Sequence, residues 1–243
     1  MRLNRFLASA GLGSRRSVEA LITNGEVRIN GRVVTDLATQ VGPDDAVKVG
    51  SRLLRPQQTL TVVLNKPRGF VCSASDERDR QTIFDLLPAN WPRIYHVGRL
   101  DKESEGLLIL TNDGDLSLAL THPSFKIDKE YELLIDKPFD HKDREKLLRG
   151  FHIMGGRAKA ERVEILAPLH LRMTLAQGIK RQIRLMLYEL GYEVERLVRV
   201  RIGPLKIGEM RPGEWRILNS KEIAALRADA PKTKPVRSSR PER

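Results

Sequence analysis

A single carboxylate, Asp101, stands in Gly98-Arg99-Leu100-Asp101, after the apolar run Ile94–Val97 and before a second, Leu107–Leu110, that begins past Gly106. Apolar runs bounded by glycine and polar residues are strand-like. Asp101 is therefore expected on a short connection between two buried strands, where a rigid scaffold can aim a side chain. On pattern alone, Arg-Leu-Asp also reads as a hydrated turn. An ionised aspartate held in a cleft can stabilise positive charge, attack carbon or take a proton. If partly buried, it needs a cation to stay charged. The best candidates lie in Lys180-Arg181-Gln182-Ile183-Arg184-Leu185-Met186, at the head of an expected helix. Tyr131 begins an apolar strand after Lys129-Glu130, and offers both a ring and a hydroxyl. A core tyrosine with a satisfied hydroxyl is the other reading of that residue.

The elements that must position these groups are legible from periodicity. Strands are expected at Leu60–Asn65, Ile94–Val97, Leu107–Leu110, Tyr131–Ile135, Val163–Leu166, Leu171–Leu175, Leu197–Val200 and Trp215–Leu218. Helices are expected at Asp115–Leu120, His141–Leu148, Lys180–Leu190 and Lys221–Ala228, the last capped by Asn219 or Ser220. Strands and helices interspersed without regular βαβ alternation point to an α+β fold with a largely antiparallel sheet. Upstream, Leu3, Phe6, Leu7 and Ala10 share one helical face, and Gly11-Leu12-Gly13 ends that helix. Ser14 is the expected N-cap of a second helix bearing Val18, Leu21 and Ile22, which Asn24-Gly25 terminates. Val27–Val34 reads as a hairpin about Asn30-Gly31, with another short strand at Val47 and Val49. Arg55-Pro56-Gln57-Gln58-Thr59 has linker composition. The expected organisation is a basic unit at 1–58, a larger unit at 59–228 and a basic disordered tail at 229–243, whose prolines and cations cannot bury a core.

The 243 residues carry a net charge of +12 and a pI near 10.1, with 40% apolar content. That is enough for a core, and the charge is the footprint of a nucleic-acid binder. No apolar run approaches the ~20 residues of a membrane span, no apolar signal core opens the chain, and no helix is both strongly basic and strongly apolar on opposite faces. One cysteine, Cys72, excludes an internal disulfide and a cysteine-built metal site, and the five histidines show no ligand-like spacing. A cytoplasmic protein with no bound metal is expected.

Gly98-Arg99-Leu100-Asp101 followed by Gly106-Leu-Leu-Ile-Leu-Thr-Asn-Asp-Gly114 resembles the catalytic signature of bacterial ribosomal RNA pseudouridine synthases. Gly11-Leu-Gly-Ser-Arg-Arg-Ser17 and Gly25-Glu-Val-Arg-Ile-Asn-Gly31 resemble the ribosomal protein S-four-like RNA-binding module, also called αL. The resemblance spans about residues 1–220. It implies a small N-terminal αL domain joined to a pseudouridine-synthase domain with a mostly antiparallel mixed sheet. Asp101 falls on the family's catalytic aspartate, and Arg184 on the arginine that pairs with it, with Arg181 as second choice for the pairing. An arginine suits that task because its planar fork binds a carboxylate bidentately and stays charged. Lys129-Glu130-Tyr131 matches the family's Lys-x-Tyr motif, implying that Tyr131 stacks on a flipped base. Arg99 would fill the gap left by the flipped uridine or hold a phosphate. Lys66 and Arg68, in Lys66-Pro67-Arg68-Gly69, match a segment near the active site and are counted with the RNA-binding residues, as are Arg2, Arg5, Arg15, Arg16, Arg28 and Arg32. Arg199-Val200-Arg201-Ile202-Gly203-Pro204-Leu205 is family-like too, with a part in the sheet and in phosphate contact.

Isomerising uridine to pseudouridine breaks the bond from uracil N1 to ribose C1′ and rejoins the base through C5. It leaves the redox state unchanged and imports no group, so no cofactor is expected, in keeping with the lack of a Gly-rich phosphate loop. The expected substrate is 23S rRNA, free or in partly assembled subunits, met by a monomer with no membrane association. The alternatives are 16S rRNA, or a non-catalytic RNA-binding assembly factor that keeps the fold. One departure is visible: the family commonly has Asp/Asn-Thr-Ser after the catalytic aspartate and its neighbour, where this chain has Glu103-Ser104-Glu105. Ser104 keeps a hydroxyl there, and Glu105 is expected to alter substrate contact.

Overall fold

The computed structural model describes residues 1–73, 79–122 and 125–229. The tail expected at 229–243 therefore lies outside the described residues, except for Asp229. Two compact units form, Met1–Leu60 with Asn90–Ile94, and Thr61–Ala89 with the chain from Tyr95 onward.

In the first unit, α1 (Leu3–Ser9) and α2 (Glu19–Thr23) precede β1 (Val27–Ile29), β2 (Arg32–Val33), β3 (Val47–Val49) and β4 (Arg52–Leu53). The four strands form an antiparallel sheet in the order β2-β1-β3-β4. Leu3, Leu7, Val18, Ile22, Val27 and Val47 are fully or nearly fully buried and make one core. Asn30 and Gly31 both have positive φ, 50° and 84°, as the tight turn between β1 and β2 requires. The second helix starts later than its sequence suggests. Ser14 and Ser17 first close a turn on each other, the Ser17 amide donating to Ser14 Oγ (3.0 Å), and helical geometry sets in only at Glu19.

The second unit is built on one nine-stranded sheet. In chain order its elements are β5 (Thr61–Lys66), β6 (Tyr95–Val97), β7 (Glu105–Thr111), α3 (Gly114–Thr121), β8 (Lys129–Ile135), α4 (His141–Arg149), β9 (Phe151–Ile153), β10 (Gly156–Ala158), β11 (Arg162–Ala167), β12 (His170–Leu175), α5 (Gln182–Glu189), β13 (Val194–Ile202), β14 (Leu205–Lys206), β15 (Trp215–Ile217) and α6 (Ser220–Asp229). A 3-10 turn at Ile83–Leu86 is capped by Thr82 and Asp85. The sheet order is β11-β12-β8-β13-β7-β5-β15, with β14 on β13 and β6 on β7, while β9 and β10 form a separate hairpin. Among the described residues its pairings are antiparallel except β13 with β7. Helices α4 and α5 give Leu147, Ile183, Met186 and Leu187 to one apolar cluster with β8, β11, β12 and β13. Helices α3 and α6 give Leu116, Leu120 and Leu226 to another, with β5 and β7.

Every residue of β5, and every residue of β7 after Glu105, is buried, which explains the apolar runs at their centres, 62–64 and 107–110. Strand β6 is less covered than expected. Tyr95 is exposed, because β6 pairs with β7 alone. The parallel pair constrains one residue sharply. Gly106 has φ +103°, and a β-carbon there would lie 2.3 Å from the Arg199 carbonyl oxygen.

Candidate active site

Strand β5 covers one side of β7 along nearly its whole length, Thr61 opposite Thr111 through Lys66 opposite Gly106. Two strands must therefore share the other side. There β13 pairs with Glu105 and Gly106, and β6 pairs with Ile109 through Thr111. Between those two pairings the sheet parts. The Leu107 carbonyl, left in the gap, accepts a hydrogen bond from Arg199 Nε at 2.7 Å. A cleft of about 730 Å³ opens at this split, the volume of an ordinary small-molecule site.

The connection from β6 to β7 carries Asp101 to the cleft wall, where it is half-buried. This loop is held from behind. Lys66, fully buried at the end of β5, points its Nζ at the carbonyls of Ser104 (2.8 Å), Pro67 (3.0 Å) and Lys102 (3.4 Å). The Ser104 amide donates to the Asp101 carbonyl at 3.0 Å, closing a turn around the carboxylate residue. Burial lowers the Lys66 pKa, opposed by Cys72, Glu105, Glu103 and Asp101. The RNA contact expected of Lys66 is thus corrected. Its ammonium is sealed under the loop and cannot meet a phosphate. Arg68 is exposed and pairs with Glu103 at 3.3 Å, and Glu105 is taken by Arg196 through two contacts of 3.1 Å.

Arg184 lies on α5, on the far side of the same loop. Its Nη1 donates to the Val194 carbonyl (2.6 Å) and its Nη2 to the Glu103 carbonyl (3.4 Å), while Nε is buried without a partner. Burial and then the Arg181 charge lower its pKa, and Asp101 pulls in the opposite direction. The direct ion pair expected between Arg184 and Asp101 is not made. Arg184 touches the loop through a backbone carbonyl, and its charge reaches Asp101 only at longer range. Arg181 is an exposed cleft residue held at φ 56°, an unusual conformation for a residue with a side chain. Backbone strain of this kind concentrates at functional positions.

Tyr131 lines the cleft from β8, half-buried, in register with Met173 on β12 and Arg199 on β13. Arg99 is exposed at the cleft rim. Asp101, Tyr131, Arg99 and Arg181 thus share one cavity, and Arg184 braces it from outside. In the first unit Arg2, Arg15, Arg16, Arg28 and Arg32 are exposed and Arg5 is half-buried; Arg28 also donates to the Gly31 carbonyl at 3.2 Å.

Three cleft residues carry more than their sequence suggested. Lys129 lines the cavity beside Tyr131, its Nζ on the Ile127 carbonyl at 3.1 Å. Burial lowers its pKa, and the neighbouring Arg199 charge lowers it further. Arg199 is only 2% exposed. Gln182 is buried and bridges Lys159 and Gln177 with its side-chain amide, fixing the strand-to-helix segment that forms another wall. A signal existed for Arg199. It is a cation two places from the buried Leu197, and so on the same face of its strand.

Comparison with known proteins gives the family. A model described as RNA pseudouridylate synthase matches residues 60–189, and one described as S4 domain matches residues 1–47. The chain belongs to the RNA pseudouridylate synthase family and carries an N-terminal S4 domain. An uncharacterized RNA pseudouridine synthase of Aquifex aeolicus is 38% identical over 232 residues, covering 93% of both chains. The dual-specificity RNA pseudouridine synthase RluF of Escherichia coli K12 is 37% identical over 229 residues, covering 93% of this chain and 78% of its own. The solved structure of a pseudouridylate synthase superposes with a TM-score of 0.68 at 29% identity, covering 93% of this chain and 99% of that one.

Proposed function

We propose that this RNA pseudouridine synthase isomerises one uridine of ribosomal RNA, in 23S rRNA, acting as a monomer in the cytoplasm. The observation that carries the reading is the meeting of Asp101 and Tyr131 in one cleft at the split of the sheet. The flipped uridine enters there. Asp101 acts at ribose C1′, where cleavage of the bond to N1 builds positive charge that a nearby carboxylate stabilises. Tyr131 stacks on the base, and Arg99 at the rim meets the strand that the base has left. Arg184 and Lys66 hold the Asp101 loop by its carbonyls. The exposed arginines of the first unit anchor the RNA through its phosphates.

Pseudouridine mapping of 23S and 16S rRNA, from cells with and without the gene, tests this reading. One 23S pseudouridine should disappear with the gene and return when it is restored. A lost 16S site would move the substrate to the small subunit. Unchanged maps of both, with altered subunit profiles, would favour a non-catalytic assembly role.

A further inference from the structure

Arg199 and Lys129 are two cations on the floor of the cleft that the reaction as described does not use. Both line the cavity, on adjacent strands. Each spends one hydrogen bond on a main-chain carbonyl, Arg199 Nε on Leu107 and Lys129 Nζ on Ile127. Arg199 Nη2 is buried and makes no hydrogen bond. Among the described residues neither cation has a carboxylate within ion-pair distance. A buried cation beside a half-buried one, neither with a counter-ion, is costly, and removing a charge from water is repaid only by a partner. Of the nearby acids, Glu105 pairs with Arg196, Glu130 with Arg201 and Glu132 with Arg172, while Asp101 lines the same cleft without an ion pair to either cation and Asp128 acts on Lys129 only at longer range. The missing partner is then an anion that exists only while the cleft is working.

The chemistry of the proposed reaction makes one such anion. When C1′–N1 breaks, the bonding pair leaves with N1, and the negative charge spreads over the ring to O2 and O4. Whether Asp101 attacks C1′ or removes a ribose proton, the same uracil anion results. The base then turns, C5 supplies the pair for the new bond to C1′, and the C5 proton is lost to solvent. We propose that Arg199 and Lys129 form the site that holds this uracil anion through its carbonyl oxygens, making them catalytic residues of the leaving group. The inference rests on the reading of the cleft given above. The arrangement is economical in electrostatic terms. Donors fixed before the reaction, in a site shielded from water, favour a charge that appears only along the reaction path. The depressed pKa of Lys129 fits a cation held at some cost until its anion forms.

The test compares wild type, Arg199→Gln, Arg199→Lys and Lys129→Gln, as full-length protein, on rRNA transcripts containing either uridine or 5-fluorouridine. Fluorine at C5 withdraws electrons and makes the departing uracil a more stable anion, so less help from the protein is needed. Single-turnover consumption of the target nucleoside is read by nuclease digestion and mass spectrometry. On uridine RNA, Arg199→Gln and Lys129→Gln should each lower the single-turnover rate at saturation by about 10²-fold, with the half-saturating concentration little changed. On 5-fluorouridine RNA the deficit should shrink severalfold, and Arg199→Lys should recover part of the rate on uridine. A purely structural role would give the same deficit on both RNAs. That equality, in variants whose thermal unfolding is unchanged, overturns the proposal, as does a wild-type rate in both glutamine variants. A wild-type protein inactive on both rRNAs would overturn the reading of function and this inference with it.

Discussion

Gly106 and Arg199 face each other across the one parallel pairing of the large sheet, with no room for a β-carbon on the glycine. The ideal position would fall 2.3 Å from the Arg199 carbonyl oxygen and 2.6 Å from its amide nitrogen, both main-chain atoms. Gly106→Ala must push β7 from β13 while also adopting φ +103°. It should cost about 3 kcal/mol, read as a lowered denaturant midpoint, and it should lower activity because the cleft opens at this seam. An alanine variant as stable as wild type would show that the strands separate freely.

Asp101→Asn keeps the side chain's shape and removes its charge. Turnover should fall at least ~10³-fold, or about 4 kcal/mol of barrier, while RNA affinity is kept. Tritium release from C5-labelled uridine in rRNA measures the first, and filter binding the second. Retention of a tenth of the wild-type rate would remove Asp101 from the reaction.

Lys66→Met separates two roles for a lysine beside the cleft. Removing the ammonium strands the carbonyls of Ser104 and Pro67, so stability should fall by about 2 kcal/mol. Turnover should fall with it as the Asp101 loop loosens. RNA affinity and its dependence on salt should not change. A weaker, less salt-sensitive complex would return Lys66 to the RNA-binding surface.

Arg15 and Arg16 are exposed in the turn before α2. Arg15→Gln with Arg16→Gln should weaken rRNA binding and flatten the plot of log affinity against log salt by between about 1 and 2. The rate of bound RNA should be unaltered. Equal slopes would place the anchoring surface elsewhere.

Glu222 grips Arg216 through two contacts, 2.7 and 3.0 Å, and accepts the Asn219 amide while Asn219 caps its own. The Arg216 hydrogen bond is the main cause holding its pKa below the ordinary glutamate value. The folded value lies below the unfolded one, so this stabilisation is complete above about pH 4.5 and is lost as pH falls through the folded value. Glu222→Gln should cost about 0.5–1 kcal/mol at neutral pH and nothing once the wild-type carboxylate is protonated. Thermal unfolding at both pH values checks it. A deficit that persists in acid would assign the effect to packing.

The strands and helices around the site were readable because their periodicity is strong. β5 and β7 each carry a central apolar run, at 62–64 and 107–110, and α6 announces itself through Asn219. The short hairpin of β9 and β10 was not, since the turn at Met154-Gly155 is flanked by only three residues of strand on each side. The motifs singled out Asp101 and Tyr131, which the fold brings to one cleft. The bonding of Arg184 and Lys66 was not legible, because both serve backbone carbonyls, and a carbonyl leaves no trace in residue type. The partner of a basic residue is therefore the least readable part of this site.

The split in the sheet also orders the protein's assembly in time. Leu107 and Arg199, joined across the gap, are 92 positions apart in the chain. Contacts of such long reach form late and slow a domain's folding. During synthesis Asp101, β5, β6 and β7 leave the ribosome well before β13 exists to close the cleft. A growing chain thus carries its aspartate without the cleft's floor, and gains a working cavity only when its last large strand docks.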